Sequence, residues 1–368
     1  MSACVFTIIS KNYLSHARVL MKSCAEHHPT VRRIVVLADK NEGYFDALSE
    51  DFEVIEVGEL GIRDFASFAF KYNIVELNTA VKPFSFVYLF DRHPFEQVLY
   101  LDPDIRIFRP LTEVFDALAS NAIVVTPHIL TPLPDDGRIP REVDILKGGI
   151  FNLGFIGIAR GGGSQRLLSW WKERLYDKCL QAPLTGYAVD QGWLSLAPCF
   201  FSDCFSLREP GYNVAYWNLH ERTVTREEDG FAVNGSPLVF FHFSGFNPGD
   251  IERISKYQNR FALRDMQGLR GLFELYWDLL REEGYPESSQ WPYSYGYSKK
   301  GRRISELTRG IYWGLGADSE AFGDPFDGFW PRLLRMRFLR GFFRGRMVRA
   351  LSDKLLMYLW KNFSSRKR

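Results

Sequence analysis

Two carboxylates stand at the end of an apolar run in the stretch "QVLYLDPDIRIFRPL" (97–111), where Asp102 and Asp104 flank Pro103. The run "VLYL" predicts a buried strand, and side chains two residues apart in a strand point to the same side. Carboxylate oxygens at the carboxyl end of such a strand suit a hard divalent cation, Mg²⁺ or Mn²⁺. The alternative is a strand-ending turn whose two acids are solvated. The buried approach to the pair strengthens the metal interpretation, and both alternatives stay open at this point.

A nitrogen ligand for the same cation is offered by "HFSGF" (242–246), which follows the apolar run "LVFF". At the end of this predicted strand, His242 could complete a carboxylate site, and its imidazole favours Mn²⁺ over Mg²⁺. The alternative is a histidine that is hydrogen-bonded within its strand. From the residues alone, both interpretations of His242 stay open.

Polar side chains also occur in two segments between these motifs. Glycines interrupt the strand pattern of "GGIFNLGFIGI" (148–158), which indicates close approach by a ligand or another backbone. Asn152 in this run could bond a ligand hydroxyl or cap a neighbouring loop. In "VDQGWLSL" (189–196), Asp190 is either a helix N-cap or, with Gln191, a group that grips sugar hydroxyls or faces a developing positive charge.

Two features invite a phosphate-binding interpretation. The stretch "RGGGSQR" (160–166) lacks the spacing of a P-loop and its Lys-Ser/Thr ending, so we expect a strand-to-helix turn. Lys82 stands beside a helix break expected at Pro83 and could point at a phosphate, although a single lysine is commonly solvated.

Strand and helix patterns alternate along the first two thirds of the chain. Apolar runs predict strands, and apolar residues at helical spacing predict helices. The predicted strands are 3–10, 32–39, 52–58, 97–102, 121–127, 148–159 and 237–246, and the predicted helices are 14–28, 67–92 and 164–178. This order predicts an α/β fold with a mostly parallel central sheet and right-handed crossovers. Residues 266–290 are expected to be helical and residues 288–303 to form a turn-rich surface connection.

The composition is that of an ordinary globular protein, with 46% hydrophobic and 24% charged residues among 368. Five cysteines without a CxxC pair argue against a disulfide framework or a zinc site. Reduced thiols and the lack of a signal-peptide pattern lead us to expect a cytoplasmic protein. No apolar run approaches the length of a membrane span.

Charge is unevenly distributed along the chain. Residues 331–368 contain twelve Lys or Arg and one acid, Asp353, for a net charge of +11, which leaves −9 on residues 1–330. Basic and aromatic residues together suggest an anionic membrane surface as a partner, although their charges do not separate onto one helical face. A docking segment for another protein is the alternative, and no nucleic-acid-binding motif accompanies the charge.

Taken together and in this order, these segments resemble a GT-A nucleotide-sugar glycosyltransferase, closest to glycosyltransferase family 8 and its bacterial relatives. The resemblance is carried by six segments within about residues 3–250: "FTIISKNYL", "KPFSFVYLF", "VLYLDPDIRIFRPL", "GGIFNLGFIGI", "VDQGWLSL" and "VFFHFSGF". It implies a GT-A, Rossmann-like fold with a C-terminal helical extension. The domains expected are a catalytic domain (1–265), a helical and turn-rich extension (266–330) and a basic tail (331–368).

The resemblance also implies roles for individual residues. The first strand and its loop would cradle the nucleotide base, and a basic residue and the glycine of the histidine motif would lie at the donor. The implied donor-binding residues are Thr7, Ile9, Ser10, Tyr13, Lys82, Asp102, Asp104 and Gly245. Asp102, Asp104 and His242 would bind Mn²⁺ (or Mg²⁺) with the diphosphate. Asn152 would contact the sugar, and Asp190 and Gln191 would lie near the anomeric centre.

The chain departs from the family at two points. The family commonly has a lysine a few residues after its histidine motif, whereas this chain has no lysine there before Lys256; Arg253 or Lys256 could substitute. Pro103 in the middle of the Asp-X-Asp motif removes a backbone N–H that could contact the nucleotide.

The function that the resemblance implies is metal-dependent transfer of a sugar, with retention, in cell-surface polysaccharide synthesis. The donor would be a nucleoside-diphosphate sugar, most simply a UDP-sugar, and the acceptor a hydroxyl of a saccharide or lipid-linked molecule. The protein would lie on the cytosolic face of a membrane through its tail. Two alternatives are a nucleotidyltransferase that makes nucleotide sugars and a non-catalytic membrane-surface scaffold. The first normally has a Gly-rich, basic loop after its first strand, which "SKNYLSH" is not.

Overall fold

The computed structural model describes residues 2–316, 319 and 323–329, and these contain a large, mostly parallel sheet with helices on both faces. The strands in chain order are β1 (Ala3–Ile9), β2 (Arg32–Leu37), β3 (Glu53–Glu56), β4 (Gln97–Leu101), β5 (Ile105–Ile107), β6 (Ile123–Pro127), β7 (Phe151–Ala159), β8 (Gln181–Ala182), β9 (Tyr187–Ala188), β10 (Cys204–Ser206), β11 (Val224–Glu227), β12 (Gly230–Val233), β13 (Ser236–Pro237) and β14 (Phe240–His242). The helices are α1 (Leu14–His27), α2 (Phe65–Lys71), α3 (Ile74–Ala80), α4 (Lys82–Arg92), α5 (Thr112–Leu118), α6 (Glu142–Gly148), α7 (Gly162–Lys178), α8 (Gln191–Leu194), α9 (Ala197–Phe200), α10 (Gln267–Glu282), α11 (Tyr285–Ser288) and α12 (Glu306–Gly314).

The main sheet has seven strands in the order β10-β6-β7-β4-β1-β2-β3. Strand β7 runs antiparallel to its two neighbours, and the other strand pairs of this sheet are parallel. The chain builds outward from β1 through β2 to β3 and then returns to place β4 on the other side of β1. Ligands of such sheets bind beyond the carboxyl ends of the strands where the strand order reverses. The β1/β4 edge is therefore the expected binding position.

The sheet is buried on both faces, which explains why its central strands are apolar throughout instead of alternating. Helices α2, α3, α4 and α7 cover one face, where Phe6 packs between the rings of Phe86 and Tyr100. Helices α1 and α5 cover the other face. The predicted α/β class with a mostly parallel sheet is thus confirmed.

A short antiparallel pair outside the main sheet decides the geometry of the site. Strand β14 pairs with β5, so that His242 lies opposite Ile105, the residue after Asp104. The N–H of Phe243 also donates to the carbonyl of Asp104 at 2.8 Å. This pairing brings together two motifs that lie far apart in the sequence.

Helix α10 packs its apolar face against β14, because Phe273 and Tyr276 contact the aromatic residues of that strand and its extension. The ring of Phe243 lies flat on Tyr276 with centroids 3.7 Å apart. The division of the chain at residue 265 stays a prediction.

The predicted elements agree with the structure to within a few residues. The long helix expected over 67–92 is three helices, α2 to α4, and Pro83 lies in the first turn of α4, where it removes no helical hydrogen bond. Among the described residues, no helix is both long enough and apolar enough to cross a bilayer. The basic tail predicted over 331–368 lies outside the described residues.

Candidate metal and donor site

Three side chains with metal-ligand chemistry meet at the carboxyl end of β4. The Nε2 atom of His242 lies 3.0 Å from an oxygen of Asp104 and 3.6 Å from an oxygen of Asp102. One ligand atom from each residue lies within 4.8 Å of the others. Adjacent ligands of an octahedral ion, each about 2.1 Å from it, are about 3.0 Å apart. The donor set and its spacing therefore fit a hard divalent cation.

Burial and mutual contact set the charges of this cluster. Burial raises the pKa of Asp102 above its usual range, partly offset by the charges of Lys82 and His242. Burial acts in the same sense on Asp104, but the charge and hydrogen bond of His242 outweigh it and lower the pKa of Asp104. Burial disfavours protonation of His242, yet the two aspartates raise its pKa above the ordinary value. The negative charge that the two aspartates place beside the imidazole also attracts a cation.

The two aspartates are held in place by neighbouring strands. The N–H of Asp102 donates to the carbonyl of Gly154 on β7 at 2.7 Å, and Tyr100 donates its hydroxyl to the Asp102 carboxylate at 2.6 Å. Both carboxylates keep part of their surface exposed, 31% for Asp102 and 22% for Asp104, whereas His242 is buried. Exposed oxygens on a fixed backbone are accessible to an incoming ligand.

Asn152 lies behind His242 instead of in an open cleft, since it is only 6% exposed. Its Oδ1 atom is 3.2 Å from Nδ1 of His242, and it also accepts from the N–H of Gly154 and from Asn213. Its Nδ2 donates toward His128 and Gln191. This geometry does not support the predicted sugar contact of Asn152, because its amide is used inside the protein.

The geometry likewise gives Gln191 partners within the chain. Its Oε1 accepts from the N–H of Leu153, and its Nε2 donates to the carbonyl of Gly148, both at 3.0 Å. The predicted position of this amide near an anomeric centre therefore has no support from its hydrogen bonds.

Lys82 and Asp190 form a buried ion pair, with side chains 1% and 2% exposed. Lys82 also donates to the carbonyl of Leu153 and lies 4.1 Å from the ring centroid of Tyr100. The ammonium is thus enclosed behind the aspartate strand, and the predicted contact of Lys82 with a phosphate is not supported. Asp190 is the N-cap residue of α8, but its side chain makes no capping hydrogen bond. Its carboxylate pairs with Lys82 instead.

The loop after β1 forms the other wall of the site. The ring of Tyr13 is 40% exposed and stacks on His16. Burial raises the pKa of the Tyr13 phenol, and the charge of Asp104 acts in the same direction. Ser10 is buried and accepts a hydrogen bond from Asn78 at 2.8 Å. Of the residues implied for the nucleotide base, Ser10 and Tyr13 therefore lie at this edge of the sheet.

Two other residues implied for the base are buried. Ile9 is part of the core beneath the sheet, so only its backbone could reach a ligand. Thr7 is fully buried, and its hydroxyl has no hydrogen-bond partner among the described residues.

Gly245 allows the chain after β14 to fold back against the site. Its φ of +71° is in the left-handed region, and a Cβ there would lie 2.6 Å from the ring of Tyr257 and 2.7 Å from Ser255. The N–H of Lys256 donates to the carbonyl of Gly245 at 3.0 Å. Arg253 instead uses its guanidinium to bond the carbonyls of residues 255 and 256. The ammonium of Lys256, the other basic residue considered as a substitute, lies 5.0 Å from the ring centroid of Tyr257.

The structure adds residues that were not among the predicted site residues. They are Asn12, Asn78, His128, Asn213 and Tyr257. The Oδ1 atoms of Asn12 and Asn78 are buried and accept no hydrogen bond from a described residue. Asn12 lies in the same loop as Ser10 and could have been found from that position, whereas nothing local in the sequence distinguishes Asn213.

Comparison with known proteins gives partial similarities. No protein-family model matches the chain. Two curated relatives, the uncharacterized proteins YfnF and YfnD of Bacillus subtilis (strain 168), are 29% and 24% identical over 163 and 153 residues. These matches cover 44% and 41% of this chain and 53% and 47% of the relatives, so the chain spans about half the length of the curated relatives it matches.

Several solved structures are similar to part of the chain, among them three glycosyltransferases. The galactosyltransferase LgtC, solved in complex with donor and acceptor sugar analogues, has a TM-score of 0.46 and 19% identity over 76% of this chain and 95% of its own. The glycosyltransferase GlyE of Streptococcus pneumoniae TIGR4 has a TM-score of 0.41 and 17% identity over 81% of this chain and 66% of its own. Mouse xyloside xylosyltransferase 1 has a TM-score of 0.40 and 13% identity, over 66% of this chain and 97% of its own. At such low similarity, these structures do not indicate an activity for this chain.

Proposed function

We propose that the protein is a metal-dependent glycosyltransferase that moves a sugar from a nucleoside-diphosphate sugar, most simply a UDP-sugar, to an acceptor hydroxyl. The observation that carries the proposal is the convergence of Asp102, Asp104 and His242 within 4.8 Å at the β1/β4 edge. A hard cation at this position can bind a diphosphate, and this is where open α/β sheets bind nucleotides.

Asp102, Asp104 and His242 are the residues that would hold the ion, Mn²⁺ in preference to Mg²⁺ because one ligand is an imidazole. When bound, a divalent ion supplies positive charge against the charge that develops on a departing diphosphate. The protein contributes the fixed positions of these ligands, since β4, β5 and β14 hold them through backbone pairing. Prearranged ligands of this kind avoid a reorganisation cost during the reaction.

Residues around the ion are suited to the rest of the donor. The exposed ring of Tyr13 lies near enough to Asp104 and Tyr257 for their charges to act on its phenol, and the rings of Tyr13 and Tyr257 offer stacking surfaces to a base or sugar. The ammonium of Lys256, 5.0 Å from the ring centroid of Tyr257, would supply a cation for the diphosphate.

The acceptor in this proposal is a hydroxyl of a saccharide or of a lipid-linked molecule, and transfer proceeds with retention of the anomeric configuration. The basic tail, residues 331–368, would hold the protein to an anionic cytosolic membrane face, where such acceptors are extended into polysaccharide. Co-sedimentation with anionic and neutral vesicles, with and without residues 331–368, tests the tail. Equal binding of both proteins to both vesicles would contradict the membrane role.

Turnover of nucleotide sugars is the direct test of the reaction. Purified protein with Mn²⁺ is expected to hydrolyse one class of nucleoside-diphosphate sugar slowly and to transfer its sugar once an acceptor is found. Asp102→Ala and Asp104→Ala are expected to abolish this turnover while the protein stays folded by circular dichroism. Undiminished turnover in both variants would refute the metal assignment, and the anomeric configuration of the product, read by NMR, tests retention.

A further inference from the structure

The imidazole of His242 makes one hydrogen bond on the side that faces away from the aspartates. Its Nδ1 atom is 3.2 Å from Oδ1 of Asn152, and both residues are buried. A histidine that binds a metal through Nε2 must keep its hydrogen on Nδ1, and it usually donates that hydrogen to an acceptor behind it. Whether Asn152 presents its oxygen or its nitrogen to His242 therefore decides whether the ring is prepared for a cation.

The orientation of the two amides follows from backbone groups, whose hydrogen-bonding roles cannot be exchanged. The N–H of Leu153 can only donate, so it fixes the oxygen of Gln191 on its side, and the carbonyl of Gly148 fixes the nitrogen on the other. The Gln191 oxygen then requires the nitrogen of Asn152, at 3.2 Å. The N–H of Gly154 independently requires the Asn152 oxygen on the opposite side, at 3.1 Å.

Two further neighbours agree with this arrangement. Nδ1 of His128 lies 3.3 Å from the carbonyl of Ile150, so it carries the hydrogen and leaves Nε2 to accept from Asn152. His128 is neutral near pH 7, because burial lowers its pKa to about 4. Asn213 donates to the Asn152 oxygen at 3.1 Å and to Thr126 at 2.7 Å. Each hydrogen bond of the Asn152 amide therefore places its oxygen toward His242.

We propose that Gln191 and Asn152 are positioning residues that hold the hydrogen of His242 on Nδ1 and so present the lone pair of Nε2 to the divalent ion. The chain of contacts runs from the backbone of residues 148 and 153 through Gln191 and Asn152 to His242. This inference rests on the metal site of the proposed function. In this proposal Asn152 does not contact the sugar and Gln191 does not lie at the anomeric centre. Both residues act by orienting His242.

Affinity for Mn²⁺, followed by the electron paramagnetic resonance of the free ion, tests the inference on the full-length protein. Asn152→Leu has nearly the same shape but no acceptor, and it is expected to weaken Mn²⁺ binding about 10- to 100-fold. Gln191→Met leaves Asn152 in place and removes one anchor of its orientation, so a smaller loss is expected. Thr126→Val removes a hydroxyl of the same network that does not contact Asn152, and it is expected to bind Mn²⁺ as the wild type does.

A spectroscopic readout on the wild type does not depend on whether the variants fold. In protein labelled with ¹⁵N-histidine and loaded with Cd²⁺ as a diamagnetic probe, His242 is expected to show a protonated Nδ1 and a metal-bound Nε2. Cd²⁺ on Nδ1, or unchanged Mn²⁺ affinity in a folded Asn152→Leu, would overturn the inference alone. Wild-type protein that binds Mn²⁺ no better than His242→Ala would instead overturn the metal site on which the proposed function rests.

Discussion

Replacing Gly154 by alanine is expected to displace the side chain of His242 while all three proposed metal ligands keep their identity. A Cβ at position 154 would lie 2.3 Å from Cε1 of His242 and 2.7 Å from its Nδ1. Non-bonded carbons approach to about 3.5 Å, so the ring must retreat by about 1.2 Å. Metal–ligand distances tolerate about 0.2 Å, and the imidazole is therefore lost as a ligand. The Cβ would also lie 2.7 Å from Oδ1 of Asn152, so the clash disturbs the partner of His242 as well as its ring.

The expected magnitude is a fall in Mn²⁺ affinity of at least about 100-fold, the upper end of what loss of an outer partner causes. Overpacking should also reduce the free energy of unfolding by about 1–3 kcal/mol. Gly157→Ala is the matched control on the same strand. Its Cβ would meet the flexible methyl ends of Leu99 and Leu118 at 3.0 Å, far from the aspartates.

Manganese titration and thermal unfolding of both alanine variants separate the two effects. Gly157→Ala is expected to lose stability by a similar amount and to keep its Mn²⁺ affinity. If Gly154→Ala is folded and binds Mn²⁺ as tightly as the wild type, His242 is not a metal ligand and the reasoning above is refuted.

Three further outcomes follow from the described contacts. Burial lowers the pKa of His16 and of His128 to about 4. Between pH 6.5 and pH 4 the unfolded chain therefore binds more protons than the folded chain. The free energy of unfolding is highest above about pH 6.5 and falls toward pH 4 by up to about 3 kcal/mol per histidine. Urea unfolding at several pH values should show a shallower fall in His128→Gln, and an equal slope would contradict the assignment. Lys82→Met leaves the Asp190 carboxylate buried and unpaired, which should cost about 3–5 kcal/mol of stability. The double variant Lys82→Met/Asp190→Leu should recover most of this loss. Equal stability of the single and double variants would argue against the ion pair. Lys256→Met is expected to weaken binding of a nucleoside diphosphate with Mn²⁺ about tenfold in calorimetry, and unchanged affinity would remove Lys256 from the donor site.

The sequence patterns were sufficient for the α/β class and for the two aspartates at the end of β4. Strands and helices are predicted from hydrophobic patterns with periods of 2 and 3.6 residues, which are local in the sequence. The two aspartates are likewise visible locally, because they directly follow an apolar strand pattern. That His242 would lie beside Asp104 needed the resemblance, because the β5–β14 pairing joins residues more than a hundred positions apart.

The roles of the buried polar residues could not be read from local patterns. Lys82 and Asp190 each have plausible individual roles, and only the folded chain shows that they neutralise each other. Asn213 has a φ of +51°, which an asparagine tolerates better than most residues, yet nothing around it in the sequence signals that conformation. Hydrogen-bond partners far apart in the chain are a property of tertiary structure and not of spacing.

The contact between Phe243 and Tyr276 has a practical consequence for fragments of this protein. A fragment that ends at residue 265 would lack α10 and leave the aromatic flank of the histidine-bearing strand open to water. Such a truncation would be prone to aggregate and poorly suited to crystallisation or assay. The shortest fragment worth producing therefore continues past α12 to Phe329, because Tyr312 and Phe326 in turn cover Phe70 in the main core.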